Sequence, residues 1–465
     1  MQDKGIDVKI NELVDKYFDE ILTSLGKVVK INSVMGEAKG SYPFGEGPAK
    51  ALEETLKIAE GLGFETVNVD NYAGHVEYGN GGKLYDILAH LDVVPEGDLS
   101  RWESHPYELS IRDGKMYGRG VSDDKGPAIG SLYALKIASE LVDNPKNRVR
   151  LVFGTNEENG SLCLKYYFTK QPYPDAAVTP DGDFPLVFAE KGIVTYVISK
   201  KLSNDYSTKI IELKAGTASN VVPEECVAVL HTDKAKEIAY LVANYKSACK
   251  YECAVDGDNV TIKSFGKSAH GAHPSAGINA AAGMLELLSR IDLGPNNCTI
   301  RTLYKRLGKD YNGIGLGISG RDDVSRELTC NLGILKLDGE EIKAVINIRH
   351  PIFFNVDMIT SQIEEAMKGF KVERASYSKP LYVSKDSDLV KLLLEIYREE
   401  TKDDTELLAI GGGTYARNVP YGVAYGATFP CEETHMHEPN ENWSLESFKK
   451  FIKIYVKLIY RWLTE

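Results

Sequence analysis

The sequence predicts an α/β protein, a three-layer α/β/α domain interrupted by an inserted α+β domain. Three observations carry this expectation. Strands alternate with helices through the first 185 residues, the pattern of a parallel sheet covered on both faces. Between about 186 and 383 extended segments of period two dominate, with occasional helices. From 384 to 465 the first style returns. The three-layer domain is therefore expected to be discontinuous, 1–185 with 384–465, and the insertion to span 186–383.

Taken in order, apolar residues at Ile10, Leu13, Val14, Tyr17, Phe18, Ile21, Leu22, Leu25, Val28 and Val29 form the stripe of an amphipathic helix. A second helix over 48–62 is ended by Gly61 and Gly63. Strands follow at 64–69, 75–78 and 84–90, then a segment over 123–142 that is helical in its later part, then strands at 148–154 and 175–179. Inside the insertion, 187–199, 254–263, 329–337 and 343–348 read as extended, and 234–248 and 276–291 as helical. A helix over 386–400, a strand over 407–410 and a helix over 444–463 complete the chain. There is no tandem repeat, low-complexity tract or long linker.

At 465 residues the chain can bury two or more full cores. A net charge of -12 without a concentrated basic stripe argues against a nucleic-acid partner. The opening MQDKGIDVKI lacks an apolar signal core, and no stretch reaches the length of a membrane span, so no membrane partner and a cytoplasmic location are expected. The seven cysteines (Cys163, Cys226, Cys249, Cys253, Cys298, Cys330, Cys431) read as free thiols of a reducing compartment. Cys249 and Cys253 could share a helix face, but no second pair stands at zinc spacing, so packing is the expected role.

The strand ends carry the chemistry. LYDILAHLDVVP (84–95) places His90 and Asp92 beyond the carboxyl end of a buried strand, where ligands of open α/β sheets sit. GRGVSDDKGP (118–127) sets Asp123 and Asp124 at a helix start, where they could also be capping groups. Glu157 and Glu158 in TNEENGS (155–161) and Asp181 in TPDGDFP (179–185) follow two more strands, and His437 in HMHEPNE (435–441) lies in a turn before the last helix. Each cluster alone has a bland explanation, as solvated loop residues. Together they collect imidazoles and carboxylates at the crevice end of several strands, a donor set suited to two divalent ions of the zinc or manganese kind.

These clusters resemble those of the di-zinc metallopeptidase family that includes aminoacylases, glutamate carboxypeptidases and succinyl-diaminopimelate desuccinylases, and within it the bacterial dipeptidases of the PepV type. The likeness runs through LAHLDVVPEGD, Trp102 with HPY, GRGVSDDKGP, TNEENGS, TPDGDFP, GKSAHGAHPSAGINA, NIRHP, GGGTYARN and HEPNE. It implies that Asp123 bridges two metal ions, that His90 and Asp181 complete one site, and that Glu158 and His437 complete the other. It implies that Asp92 orients His90, that Glu157 is the general base, and that the Asp123–Asp124 peptide is cis. The insertion would be a lid domain of two lobes, and His270 in GKSAHGAHP its oxyanion-binding histidine, with His273 the competing choice.

Arg349 in NIRHP suits a substrate carboxylate, by a two-pronged contact, or is an exposed arginine without a ligand. Gly413 and Thr414 in GGGTYARN would let backbone amides approach the same carboxylate, and Asn220 in ASNVVPE resembles a substrate-facing asparagine of the family. His75, His105, His231, His350 and His435 are expected to be structural. The activity implied is hydrolysis of dipeptides with a free C-terminal carboxylate. The alternatives are a deacylase of N-acyl amino acids and an inactive scaffold, and the family pattern of aspartate at position 181 favours the dipeptidase. Because the large insertion holds both His270 and Arg349, an active monomer is expected, the second half of the insertion standing where a dimer partner would. GLGISG (315–320) fits a dinucleotide fingerprint but opens no apolar helix, and neither HExxH nor GxSxG occurs.

Overall fold

The computed structural model describes residues 2–465. The chain forms two compact units: one runs to Phe188 and resumes over Tyr382–Leu408 and Gly413–Glu465, and the other comprises Ala189–Leu381 and Ala409–Gly412. In the first unit a mixed sheet has at its centre the strands Arg148–Gly154, Leu84–His90, Ala176–Thr179 and Gly422–Ala424, side by side in that order. These neighbours run parallel, while Ala73–Tyr78 and Thr66–Val69 extend one edge antiparallel.

Alternation along the central strands builds the three layers. Ile87, Ala89, Leu151, Phe153 and Val178 face a large core with the helices Gln2–Val29, Glu46–Gly61, Lys125–Leu141, Asp388–Thr401 and Leu445–Thr464. The intervening Leu88, Val152 and Ala177 face a smaller core beneath the helix Leu162–Lys170 and the short turn Tyr415–Asn418. The last helix shows why it forms where it does. Ser444 caps it by accepting from the Ser447 amide, and Phe448, Phe451, Ile452, Tyr455, Ile459 and Trp462 line its buried face. It lies so close to Lys125–Leu141 that a Cβ on Gly130 would come within 2.8 Å of Phe448.

The second unit is one eight-stranded antiparallel sheet, in the order Lys250–Asp256, Asn259–Phe265, Glu225–His231, Lys209–Ala215, Thr329–Asp338, Glu341–His350, Gly192–Lys201, Lys371–Ser378. Its two four-stranded halves are joined in register at Lys214↔Lys336 and Ala215↔Leu335, and both contribute to one apolar core. The helices Ala235–Asn244, Ala280–Leu288, Asn297–Leu303 and Val356–Ala366 also contribute to that core.

Most departures from the sequence expectation fall here. The segment 187–199 is two strands in different sheets, Val187–Glu190 and Gly192–Lys201, with Lys191 between them. The segment 254–263 is the turn and flanks of a hairpin, because Gly257 takes φ 57 and Gly257-Asp258 is the two-residue loop between Asp256 and Asn259. The helix expected to reach 248 ends at Asn244, so Cys249 lies in a loop and Cys253 on a strand, and the two share no helix face. The helix expected over 276–291 is confined to Ala280–Leu288, where Asn279 accepts from the Ala282 amide. The strands Lys209–Ala215, Glu225–His231 and Lys371–Ser378 were not anticipated.

One polar pair holds the central strands in register. Asp86 and Arg150 stand opposite each other on adjacent strands, both nearly inaccessible, with Arg150 Nε and Nη2 donating to the two carboxylate oxygens at 2.9 and 2.6 Å. Asp86→Ala would strand the guanidinium in the interior and should lower unfolding free energy by about 3–5 kcal/mol. Asp86→Leu combined with Arg150→Met should cost much less, since no unpaired charge remains. Denaturant titration of the three proteins checks this, and equal losses in single and double variants would contradict it.

Candidate metal centre

Because the strands ending at Gly154, His90 and Thr179 are parallel neighbours, the segments leaving them emerge together. His90 is the last residue of its strand, Glu157 and Glu158 lie three and four residues beyond theirs, and Asp181 two beyond its own. Asp123 precedes the helix Lys125–Leu141 and is joined to Asp124 by a cis peptide. His437 projects from a turn in which it takes φ 63.

The geometry centres on Asp123. Its Oδ1 lies 2.9 Å from His90 Nε2 and its Oδ2 2.8 Å from His437 Nε2, so one carboxylate addresses two imidazoles with different oxygens. Asp181 Oδ2 stands 3.9 Å from His90 Nε2 on one side, and Glu158 Oε1 3.2 Å from His437 Nε2 on the other. Donor atoms of His90, Asp123 and Glu158 lie within 4.8 Å of one another, as do those of His90, Glu157 and Asp181.

Neighbouring groups fix these side chains. His90 Nδ1 is 2.9 Å from the Asp92 carbonyl oxygen. A proton on Nδ1, donated there, leaves Nε2 with its lone pair facing the cluster. The orienting group is thus the backbone carbonyl of Asp92, whereas its carboxylate stands 3.6 Å away and accepts instead from the Glu157 and Glu158 amides at 2.9 and 3.1 Å. Asp92 therefore connects the first strand end to the glutamate turn. Asp124 accepts from the His90 amide at 2.9 Å, so the second of the vicinal acids is a backbone holder.

The electrostatics call for cations. Burial, and then the negative charge of Asp123, push the Asp181 carboxyl up to about 7. Burial and the charge of Asp181 likewise hold Glu157 well above the usual carboxylate range. Burial alone would lower His437, but hydrogen bonds to Asp123 and Glu158 outweigh it and push the imidazole up to about 11. His90 Nε2 is buried with no aligned hydrogen bond, despite the carboxylate oxygen nearby. Converging acids, an inward lone pair and a carboxylate with one oxygen for each of two imidazoles fit a pair of divalent ions. His90, Asp181 and Asp123 would hold one, and Glu158, His437 and Asp123 the other.

The remaining expected site residues divide between the units. Asn220, His270 and Arg349 belong to the second. There Val221 bridges His270, the Asn220 carbonyl accepts from the Gly271 amide at 2.6 Å, and the buried Asn331 amide donates to the Ser219 and Val221 carbonyls. Arg349 is buried within a strand and not exposed beyond it; its Nε donates to Asn347 Oδ1 at 2.9 Å and its Nη1 to the Gly411 carbonyl at 3.1 Å. Gly411 in turn packs on Ala272, two residues from His270. His273 precedes the short helix Pro274–Ala276. In the first unit Thr414 caps the turn Tyr415–Asn418, and the space a Cβ would need at Gly413 is filled by the Arg417 guanidinium. The close approach that requires a glycine there is made by the protein's own side chain.

Sequence reasoning assigned no role to Glu441, Arg119 or Lys125. Lys125 is buried, donates to the Val28 and Ile31 carbonyls, and is pushed down to about 7 by burial. Arg119 and Lys125 lie in the motif GRGVSDDKGP and Glu441 ends the motif HEPNE, but nothing in either shows which of these side chains meet.

Asp123→Ala removes a ligand from both proposed ions. After dialysis the variant should retain neither tightly, as read by elemental analysis, and two retained ions per chain would contradict the bridge. Metal retention by the parent protein should rise with pH, since protons compete for His437.

A model described as Peptidase family M20/M25/M40 matches residues 87–461 of the chain. A Staphylococcus saprophyticus protein named "putative dipeptidase" is 35% identical over 467 residues, covering 97% of this chain and 99% of its own. The solved structure of human carnosine dipeptidase 1 aligns over 98% of this chain and 99% of its own, with TM-score 0.62 at 14% identity. A metallo-carboxypeptidase of the M20 family from Sulfolobus solfataricus aligns over 95% and 99%, with TM-score 0.59 at 18% identity. The two structures establish likeness of fold, and the matched residues contain all the metal-site candidates from His90 to His437. The chain belongs to peptidase family M20/M25/M40.

Proposed function

We propose that this protein is a metal-dependent dipeptidase, a hydrolase of the PepV type that cleaves dipeptides bearing a free C-terminal carboxylate. The observation that carries the reading is Asp123, with its two oxygens directed at His90 and His437. Family membership and relatives named as dipeptidases support the substrate class. Two divalent ions, zinc or manganese, would polarise the scissile carbonyl and acidify the attacking water. Glu157 takes the proton from that water and delivers it to the leaving amine. Its backbone is fixed by Asp92, and burial raises its carboxyl, both suited to a base that must also act as an acid. His270 donates to the developing oxyanion. Arg349, oriented by Asn347 and the Gly411 carbonyl, is the group we assign to the substrate carboxylate, with Asn220, Gly413 and Thr414 as further candidate substrate contacts.

A monomer is part of this reading. The eight-stranded sheet gives one chain two four-stranded halves, the second in the role of a partner's lobe. A cytoplasmic location is supported by cysteines that are all free. Among the described residues, no helix is long and apolar enough to cross a membrane.

Glu157→Gln should lower turnover by ~10²–10⁴-fold while metal content stays that of the parent. Loss of metal with activity would make Glu157 a ligand instead. The substrate class is tested by comparing a free dipeptide, its N-acetylated counterpart and its C-terminal amide, with and without a chelator. Cleavage of the free dipeptide alone, abolished by the chelator, is expected. Preferred cleavage of the acetylated compound would favour the deacylase, and equal cleavage of the amide would remove the carboxylate clamp.

A further inference from the structure

Glu441 is fully buried and accepts five hydrogen bonds from one loop. Its Oε1 accepts from the Ser122 amide at 3.0 Å, the Ser122 hydroxyl at 2.9 Å and the Asp123 amide at 3.2 Å. Its Oε2 accepts from Arg119 Nη1 at 2.7 Å and the Gly120 amide at 3.0 Å. The Glu441 carbonyl takes a further bond from the Gly118 amide. One side chain thus satisfies successive donors of the segment that ends in Asp123. The same residue closes the turn from which His437 projects, and its neighbours pin that turn further. Asn440 bonds the Glu103 amide and the Arg101 carbonyl, and Asn442 receives Lys115 Nζ.

We infer that Glu441 is a positioning residue that sets the spacing of Asp123 and His437, and through it the affinity of the cation held by His437 and Glu158. The inference rests on the two-cation reading above. The Asp123 carboxylate lies between both cations, but only one of them also depends on the 437–441 turn. Losing the Glu441 clamp should therefore loosen the His437-side ion more than the His90-side ion. A carboxylate is required because all five partners are donors. A glutamine amide, in either orientation, would turn its own N–H groups toward two or more of them.

The test compares Glu441→Gln, Ser122→Ala and Arg119→Met by zinc titration calorimetry and elemental analysis after dialysis, beside denaturant unfolding. Removing a support of a metal ligand typically weakens metal binding by about 10–100-fold. Glu441→Gln should keep one ion as tightly as the parent and bind the second about 10–100-fold more weakly. Ser122→Ala, which removes one of the five bonds, should weaken the second ion less. Arg119→Met breaks the buried ion pair and leaves the bonds to the Ser122 and Asp123 amides, so it should unfold more readily yet keep both ions.

Parent-like affinity for both ions in Glu441→Gln would overturn the inference. So would metal loss that merely follows stability across the three variants. If Glu441→Gln does not fold, Ser122→Ala set against Arg119→Met decides the matter alone. A parent protein that binds no second ion would instead refute the two-cation reading.

Discussion

Everything in the candidate centre depends on one carboxylate facing two imidazoles. Asp123 is nearly inaccessible, and a buried carboxylate is tolerable only where charge answers it. His90 and His437 face it from segments far apart in sequence, one oxygen each. Asp181 and Glu158 bring two further carboxyls to the same place, where burial and the charge of Asp123 push both above the usual carboxylate range. A pair of divalent cations would stabilise all three carboxylates in their charged form. On this account the same ions would hold the converging loops together, so the metal-free protein gives up order as well as chemistry.

The sheet explains how such a set can be assembled precisely. The parallel neighbours Arg148–Gly154, Leu84–His90 and Ala176–Thr179 end at one edge, and each carries a candidate ligand at its last residue or within a few residues of it. What remains variable in such a design is the loops, and here they are fastened by buried acids that accept from backbone amides. Asp92 fixes the glutamate turn, Asp124 the end of the His90 strand, and Glu441 the segment leading to Asp123. Buried carboxylates used as acceptors for backbone amides give short, directional anchors, which suits loops that would otherwise be free to drift.

Much of this was legible in the sequence because its signals are local. A buried apolar run followed closely by a histidine or acid announces a strand end with a candidate ligand, and His90, Glu158 and Asp181 stand at such ends. The second unit was less legible. Its strands are half exposed and rich in lysine and glutamate, so Lys209–Ala215 and Lys371–Ser378 carry weak alternation. The hairpin carries one local signal, the Gly257-Asp258 pair between two short extended runs. The second function of Asp92 could not be read at all. Which of its oxygens meets His90, and which the Glu157 amide, is decided by three-dimensional register. The burial of Arg349 is likewise a property of the completed sheet, since the arginine lies on an interior strand with paired neighbours on both sides.

The central claim is that Asp123 stands between two cations. X-ray absorption on the zinc-reconstituted protein, at known stoichiometry, tests it most directly. Two ions per chain with a metal–metal scattering path at about 3.5–4 Å is the predicted result. A single ion per chain, or two ions with no metal neighbour within that range, would contradict it.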